Sequence, residues 1–306
     1  MLKNFAPQAL GINGRQSELI ELSLTYGFKS MDVDMSEMQR RSLRSSVDDA
    51  AKYLRAAESL EIGGFDLGID MDCDDDSFTS AVGALHPVAD LASQLGAKRA
   101  YITAPPATAR LPYHEYFEQQ TKRIAQIAEV LGGKDIALGI DFNAGKELAE
   151  DKEFGFMQTV EGFLAFVKGI GLDNVGFVID TWDWVVGGGA MDQLSELKAD
   201  QIVAVRLGSL PEDADIAKAT TADRVLPEKE GLLNHVNLVK HLAELGYDGP
   251  ISPSASSSQY KGQTRESTVK KSQIAIDGIS TDAGVPVAPL PMDLIEEVVY
   301  EPTPSA

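Results

Sequence analysis

At 306 residues and 43% hydrophobic content, the chain is long enough to bury a large core, either as two domains or as one large α/β barrel. Its 47 Asp and Glu against 27 Lys and Arg give a formal charge of −20, a field that repels phosphate backbones and argues against nucleic acid as a partner. No run approaches the roughly 20 apolar residues of a bilayer-spanning helix; the start MLKNFAPQALGINGRQ lacks a signal-peptide core and the single Cys73 makes no internal disulfide, so a cytoplasmic protein away from membranes is expected.

Short apolar or alternating runs recur along the chain, each followed by a longer stretch with helical spacing. Eight strands are predicted: ALGI (9–12), SMDVDM (30–35), GFDLGIDM (64–71), RAYITA (99–104), IALGIDF (136–142), NVGFVIDTW (174–182), IVAVRLG (202–208) and GPIS (249–252). One helix opens at Ser45-Ser46 with Asp48 and Asp49 in its first turn, where carboxylates suit the helix dipole. The helix before the fifth strand carries Phe117, Ile124, Ile127, Ala128 and Leu131 on one face and stops at Gly132-Gly133. The helix before the eighth carries Leu232, Val236, Val239 and Ala243 and stops at Gly246.

Eight strand–helix units without a linker or composition break fit one closed (β/α)8 TIM barrel over residues 1–284 better than an open doubly wound sheet. Residues 285–306 form a proline-rich extension (Pro286, Pro289, Pro291, Pro302 and Pro304) in which only MDLIEEVVY can make a short helix, packing on the outside or serving a partner chain.

In such a barrel a site lies at the carboxyl ends of the strands. Carboxylates dominate there: Asp32 and Asp34 after the second strand, Asp70, Asp72, Asp74, Asp75 and Asp76 after the third, Asp141 on the fifth, Asp180 and Asp183 on the sixth. The seventh strand offers Arg206, and the eighth Ser252, Ser254 and Ser256. Asp141 and Asp180 stand out because each ends a run, LGID or GFVID, apolar enough to be buried on both faces. A carboxylate in that setting needs a partner: a divalent cation, a substrate hydroxyl, or Arg206. The plain alternative is an internal salt bridge that holds the barrel mouth.

Other features are weaker. Gly187-Gly188-Gly189 suits either a phosphate or hydroxyl cradle or a simple loop. Asp70-x-Asp72-x-Asp74 fails as a calcium loop because Asp75 and Ala81 stand where glycine and glutamate are needed. His86, His114, His235 and His241 fall away from strand ends, and only His114 lies near the expected mouth. Trp182 and Trp184 are either sugar-stacking platforms or core, and Cys73 in an acidic loop is a poor nucleophile.

The stretches LGIDFNAG (138–145), VGFVIDTWDW (175–184) and LPEKEGLLNHVNLVKHLAELGYDGPIS (226–252) resemble the xylose isomerase-like TIM-barrel superfamily, over about residues 8–280. The resemblance implies sugar and sugar-phosphate isomerases and epimerases, with the abasic-site endonucleases as relatives that the charge argues against. It also implies a divalent metal (Mn, Mg or Zn) held by glutamate, aspartate, histidine and glutamate on the fifth to eighth strands, homo-oligomers, and no nucleotide cofactor. Carried over by position, those four roles fall on Asp141, Asp180, Arg206 and Ser254, of which only Asp180 is the expected residue; a substrate-touching histidine becomes Asp183.

The reading is therefore an isomerase- or epimerase-like protein with a degenerate metal site, acting on a small polyhydroxy carbonyl compound by proton transfer. Asp141, Asp180 and Arg206 are the expected catalytic groups; Asp183, Trp182, His114 and Ser254 line the substrate; and Asp180 with Asp141 would hold any metal. A non-catalytic homologue that binds carbohydrate or a partner protein is the alternative.

Overall fold

The computed structural model describes residues 1–55 and 60–290. Its main sheet is parallel throughout and contains β1 (Leu2–Phe5), β2 (Ser30–Met31), β3 (Glu61–Ile62), β4 (Phe65–Asp66), β5 (Arg99–Ala104), β7 (Ala137–Phe142), β9 (Val175–Asp180), β10 (Ile202–Leu207) and β11 (Pro250–Pro253). A small antiparallel pair, β6 (Ala107–Thr108) and β8 (Phe154–Gly155), lies apart from it. The main sheet runs β3-β2-β1-β11-β10-β9-β7-β5-β4. Its two ends, β3 and β4, are halves of one strand interrupted only by Gly63-Gly64, whose backbone bonds to the second strand region through Gly63 N to Met31 O and Val33 N to Gly64 O. The ring is thus closed by eight strands, as a (β/α)8 barrel requires.

Helices alternate with the strands: α1 (Gln16–Thr25), α2 (Met35–Arg44), α3 (Val47–Arg55), α4 (Asp75–Leu95), α5 (Tyr113–Gly132), α6 (Val160–Ile170), α7 (Thr181–Val186), α8 (Met191–Ser195), α9 (His235–Glu244) and α10 (Arg265–Asp282). The large core lies between this helical layer and the strands, while Tyr101, Val178, Val203 and Ala204 form a second, smaller cluster. β7 and β9 are buried almost end to end because one face meets the barrel interior and the other the helices. Strands approach closely at Gly139 and Gly176, where a Cβ would stand 2.6 Å from Val178 Cγ2 and 2.5 Å from Gln201 O. Among the described residues no helix is long and apolar enough to cross a membrane.

Four expected elements are corrected. ALGI is not a strand: residues 8–10 form a 3-10 turn closed by Gly11 at φ 62°, and the first barrel strand is LKNF. An apolar run looks the same whether it is buried in a strand or, as Leu10 and Ile12 are, in a turn packed on the core. SMDVDM and GFDLGIDM shrink to short pairings, since Asp34 caps α2 through the amides of Ser36 and Glu37 and thereby ends the second strand early. In α9 the buried face is His235, Leu238, Val239 and Leu242, whereas Leu232 precedes the helix and is 45% exposed. The helix face expected in α5 and the acidic first turn expected in α3 are present. MDLIEEVVY lies outside the described residues.

Candidate active site at the barrel mouth

Period-2 alternation sends Thr103, Asp141, Asp180 and Arg206 to one face of their strands, two residues beyond Tyr101, Gly139, Val178 and Ala204. Strand register then sets them side by side: Thr103 pairs with Asp141, Arg206 with Asp180, and Arg206 also with Ser252. Asp141 and Asp180 are 5% and 2% exposed, so each must find cationic or hydrogen-bonding partners inside the protein.

Arg206 Nη1 donates to Asp141 Oδ2 at 2.6 Å, and Phe142 N donates to the other oxygen at 2.9 Å. Asp180 is held from two sides. Its Oδ1 accepts from the amides of Trp182 (3.0 Å) and Asp183 (3.4 Å), so it caps α7, while Oδ2 accepts from Ser254 Oγ at 3.0 Å and lies 3.5 Å from Arg224 Nη1. Asp183 accepts from Ala144 N at 2.7 Å and makes a short ion pair with Arg224 Nη2. The two guanidinium groups are braced by aromatic rings, Arg206 over Tyr101 at 5.4 Å and Arg224 over Trp182 at 4.8 Å.

Arg206, Arg224, Asp32, Asp66, Asp141 and Tyr101 line a cavity of about 310 Å3 at this end of the barrel. Asp32 is half-buried; Asn4 Nδ2 donates to its Oδ1 at 2.9 Å and also to Ser252 Oγ at 2.8 Å. Burial pushes the Asp32 carboxyl up to about 6, against the opposing pull of Arg206 and Asn4. Burial likewise raises Asp141 and Asp183, each against its own arginine. Burial disfavours the charged arginines, yet the surrounding carboxylates hold both Arg206 and Arg224 above the ordinary arginine value, so they stay cationic.

The structure thus gathers Asp141, Asp180, Asp183, Arg206 and Ser254, but Asp180 and the expected substrate contacts Asp183 and Ser254 are buried behind the cavity wall rather than lining it, and two further expected contacts lie elsewhere. Trp182 is wholly buried beneath Arg224 and does not face the cavity, so no sugar ring can stack on it. His114 is exposed, edge-on to Tyr113, and is not among the cavity-lining residues. Gly187, Gly188 and Gly189 end α7; Gly188 takes φ 79° and Gly189 leaves room for Trp184, whose Nε1 lies 2.4 Å from where a Cβ would be. Asp72 is a structural hub, accepting from Thr108 Oγ1 at 2.7 Å and Tyr116 Oη at 3.0 Å.

Sequence reading missed three groups. Arg224 lies in the long segment after β10, far in sequence from every carboxylate it serves. Asn4 sits on the strand that was misplaced. His235 is not a surface histidine but is buried, its Nδ1 2.6 Å from Glu228 O and its Nε2 2.9 Å from Thr181 Oγ1, which fixes the residue next to Asp180. Desolvation lowers the His235 pKa, and because a carbonyl oxygen can only accept, Nδ1 donates to Glu228 O.

The divalent metal implied by the sequence resemblance can be tested against these donors. Arg206 has no lone pair to offer, Ser254 already donates to Asp180, and each carboxylate is engaged by a guanidinium. Among the described residues no three His, Cys, Asp or Glu side chains converge as a metal cage. The set does not fit a resident divalent ion.

Comparison with known proteins follows the same outline. A family model described as xylose isomerase-like TIM barrel matches residues 20–275. A curated inosose isomerase of Bacillus velezensis is 22% identical over 269 residues, covering 87% of this chain and 92% of that protein. A xylose isomerase domain protein from Alicyclobacillus acidocaldarius superposes with a TM-score of 0.81 at 20% identity over 93% of this chain and 99% of its own. The IolI protein, solved with a bound zinc atom, gives 0.75 at 18% identity over 92% and 99%.

Proposed function

The chain belongs to the xylose isomerase-like TIM-barrel family, and from that premise we propose that it isomerises or epimerises a small polyhydroxy carbonyl compound by moving a proton between neighbouring carbons. The observation that carries the reading is the grouping of two carboxylates, Asp32 and Asp141, with the Arg206 guanidinium around one cavity.

In the forward step a carboxylate takes the proton from the carbon beside the carbonyl, the C–H electron pair forms the enediolate double bond, and the carbonyl oxygen becomes an oxyanion. Arg206, charged and held by Asp141, stabilises that oxyanion through its remaining N–H donors. For the isomer, the carboxylic acid returns its proton to the former carbonyl carbon while the neighbouring hydroxyl gives its proton to the oxyanion and becomes the new carbonyl; for the epimer, the second carboxyl, starting protonated, gives its own proton to the original carbon from the opposite face, and the first keeps the one it took. Asp32 is well suited to such a cycle: one of its oxygens is bonded to Asn4, the other has no hydrogen-bond partner among the described residues, and its pKa of about 6 lets it gain and lose a proton around neutral pH. Asp180 and Asp183 are occupied by Arg224, Ser254 and backbone amides, and they hold Arg224 at the edge of the cavity.

The inosose isomerase relative places cyclic polyol ketones first on a substrate panel, followed by ketoses, aldoses and their phosphates. The test is wash-in of solvent deuterium at the carbon beside the carbonyl, followed by proton NMR, because exchange reports proton abstraction even where the product equilibrium is unfavourable. Exchange that Asp141→Asn and Asp32→Asn reduce by roughly 100-fold or more would fit general-base catalysis. Binding without exchange across the panel would instead make the protein a carbohydrate-binding homologue.

A further inference from the structure

We propose that the guanidinium groups of Arg206 and Arg224 together supply the charge that a divalent cation supplies at a mouth of this kind, so that the site is complete without a metal. This substitution of guanidinium for metal does not depend on which reaction the site performs.

Three carboxylates are buried at the mouth, each turned to its own partners: Asp141, Asp180 and Asp183 are 5%, 2% and 1% exposed. A buried carboxylate without a compensating partner is strongly disfavoured by desolvation. Two arginines bring two formal positive charges, the charge of one divalent ion, and they distribute it over all three anions. Arg206 meets Asp141 at 2.6 Å; Arg224 reaches Asp180 with Nη1 at 3.5 Å and Asp183 with Nη2.

Other features point the same way. Ser254, at the position where the resemblance implies an anionic ligand, is neutral and spends its hydroxyl proton on Asp180. Three carboxylates already exceed the two guanidiniums by one negative charge, and a fourth carboxylate there would have doubled that excess. The aromatic faces of Tyr101 and Trp182 behind the two guanidiniums hold them in place without competing for the carboxylates. A metal ion entering the cluster would have to displace these pairs and sit against two fixed cations.

The arrangement also gives Arg224 a role that nothing in the strand pattern marks. It is a positioning residue, fixing Asp180 and Asp183, while its guanidinium still borders the cavity beside Arg206.

The wild-type protein, purified in buffers containing Mn2+ and Zn2+ and then desalted, is expected to retain far less than one metal per chain by elemental analysis. Its thermal midpoint is expected to be the same in EDTA, in excess Mn2+ and in excess Zn2+. About one ion per chain, lost in Asp180→Ala, would overturn the proposal, and so would a midpoint that falls in EDTA. Arg206→His supplies a second arm, since it removes one permanent cation and adds one lone-pair donor beside Asp141 and Asp180. The variant is expected to show a midpoint that rises with Zn2+ where the wild type does not; a folded variant indifferent to Zn2+ would count against the substitution of guanidinium for metal. If the variant does not fold, the wild-type measurements decide alone. None of these readouts requires turnover, so a failed deuterium exchange and a failed charge substitution remain separate results.

Discussion

The Asp141–Arg206 pair offers the sharpest energetic test, through a double-mutant cycle of Asp141→Asn, Arg206→Met and the combined variant. With charge centres about 4 Å apart and an effective dielectric constant near 20, the pair is worth about 4 kcal/mol. The 2.6 Å contact is well formed, but the Arg206 side chain is 19% exposed to the cavity and is shared with Asp32 and Asp180, which lowers the specific coupling to about 2–3 kcal/mol. Arg206→Met alone strands a buried carboxylate and should cost about 3–5 kcal/mol. Asp141→Asn should cost less, because Arg206 keeps Asp32 and Asp180 as partners. The double variant should be more stable than the sum of the single effects predicts by the coupling energy. Urea unfolding at pH 7.5, with the slopes compared to confirm a common unfolded state, measures each corner. Repeating the cycle at pH 4.5, where Asp141 is substantially protonated because burial raises its pKa, should shrink the coupling. A coupling below about 1 kcal/mol at pH 7.5 would refute the view that this is a desolvated pair.

Two further perturbations test the surroundings. Asp32 has a folded pKa of about 6 against an ordinary value of 3.8, so the native state binds the extra proton and stability falls as pH rises from about 4 to 6. Asp32→Asn retains an oxygen for Asn4 and should therefore be more stable than wild type above pH 6, by up to about 3 kcal/mol, and no more stable below pH 4; equal stability across the range in urea titrations would contradict the burial argument. At the barrel closure, a Cβ on Gly64 would stand 2.3 Å from Tyr101 Cζ, so Gly64→Ala should cost about 1–3 kcal/mol. Gly83→Ala is the control, because that Cβ meets nothing within 4 Å in the middle of α4, and should add up to about 1 kcal/mol by helix propensity. Equal effects at the two glycines would show that Tyr101 moves aside freely.

Much of the barrel is readable in the chain because RAYITA, ALGIDF, VGFVID and IVAVRL are apolar on both faces, the condition a parallel strand meets between helices and barrel interior. The start was not readable for the converse reason. LKNF carries only two apolar residues, and its Asn4 is buried for the sake of hydrogen bonds to Asp32 and Ser252 rather than for packing. ALGI is apolar because a 3-10 turn leans on the core. The halves of the third strand are two residues each, too short for any period to declare itself. Trp182 and His114 mark a different limit, since proximity in sequence to Asp183 or to a strand end does not say whether a ring faces the cavity, the core or solvent.

The site follows a similar division, and charge balance shows where more could have been read. LGID and GFVID announce buried carboxylates; Arg206 is the register neighbour of Asp180, yet its side chain reaches one strand further and pairs with Asp141. Asp180 and Asp183 then still lack a cation, which no strand supplies. The segment from Gly208 to Asn234 is the longest at the carboxyl end of the barrel, and its cations are Lys218, Arg224 and Lys229. A buried lysine tends to lose its proton and with it the reason for being there, whereas arginine keeps its charge and can span two carboxylates with separate nitrogens. That reasoning selects Arg224, 41 residues beyond Asp183, and it is the residue that the structure sets against both anions; Lys218 and Lys229 instead pair with the exposed Asp215 and Asp282. In an acidic chain of this kind the buried anions are easy to find, and identifying which of the few cations neutralise them is the step that turns a list of carboxylates into a site.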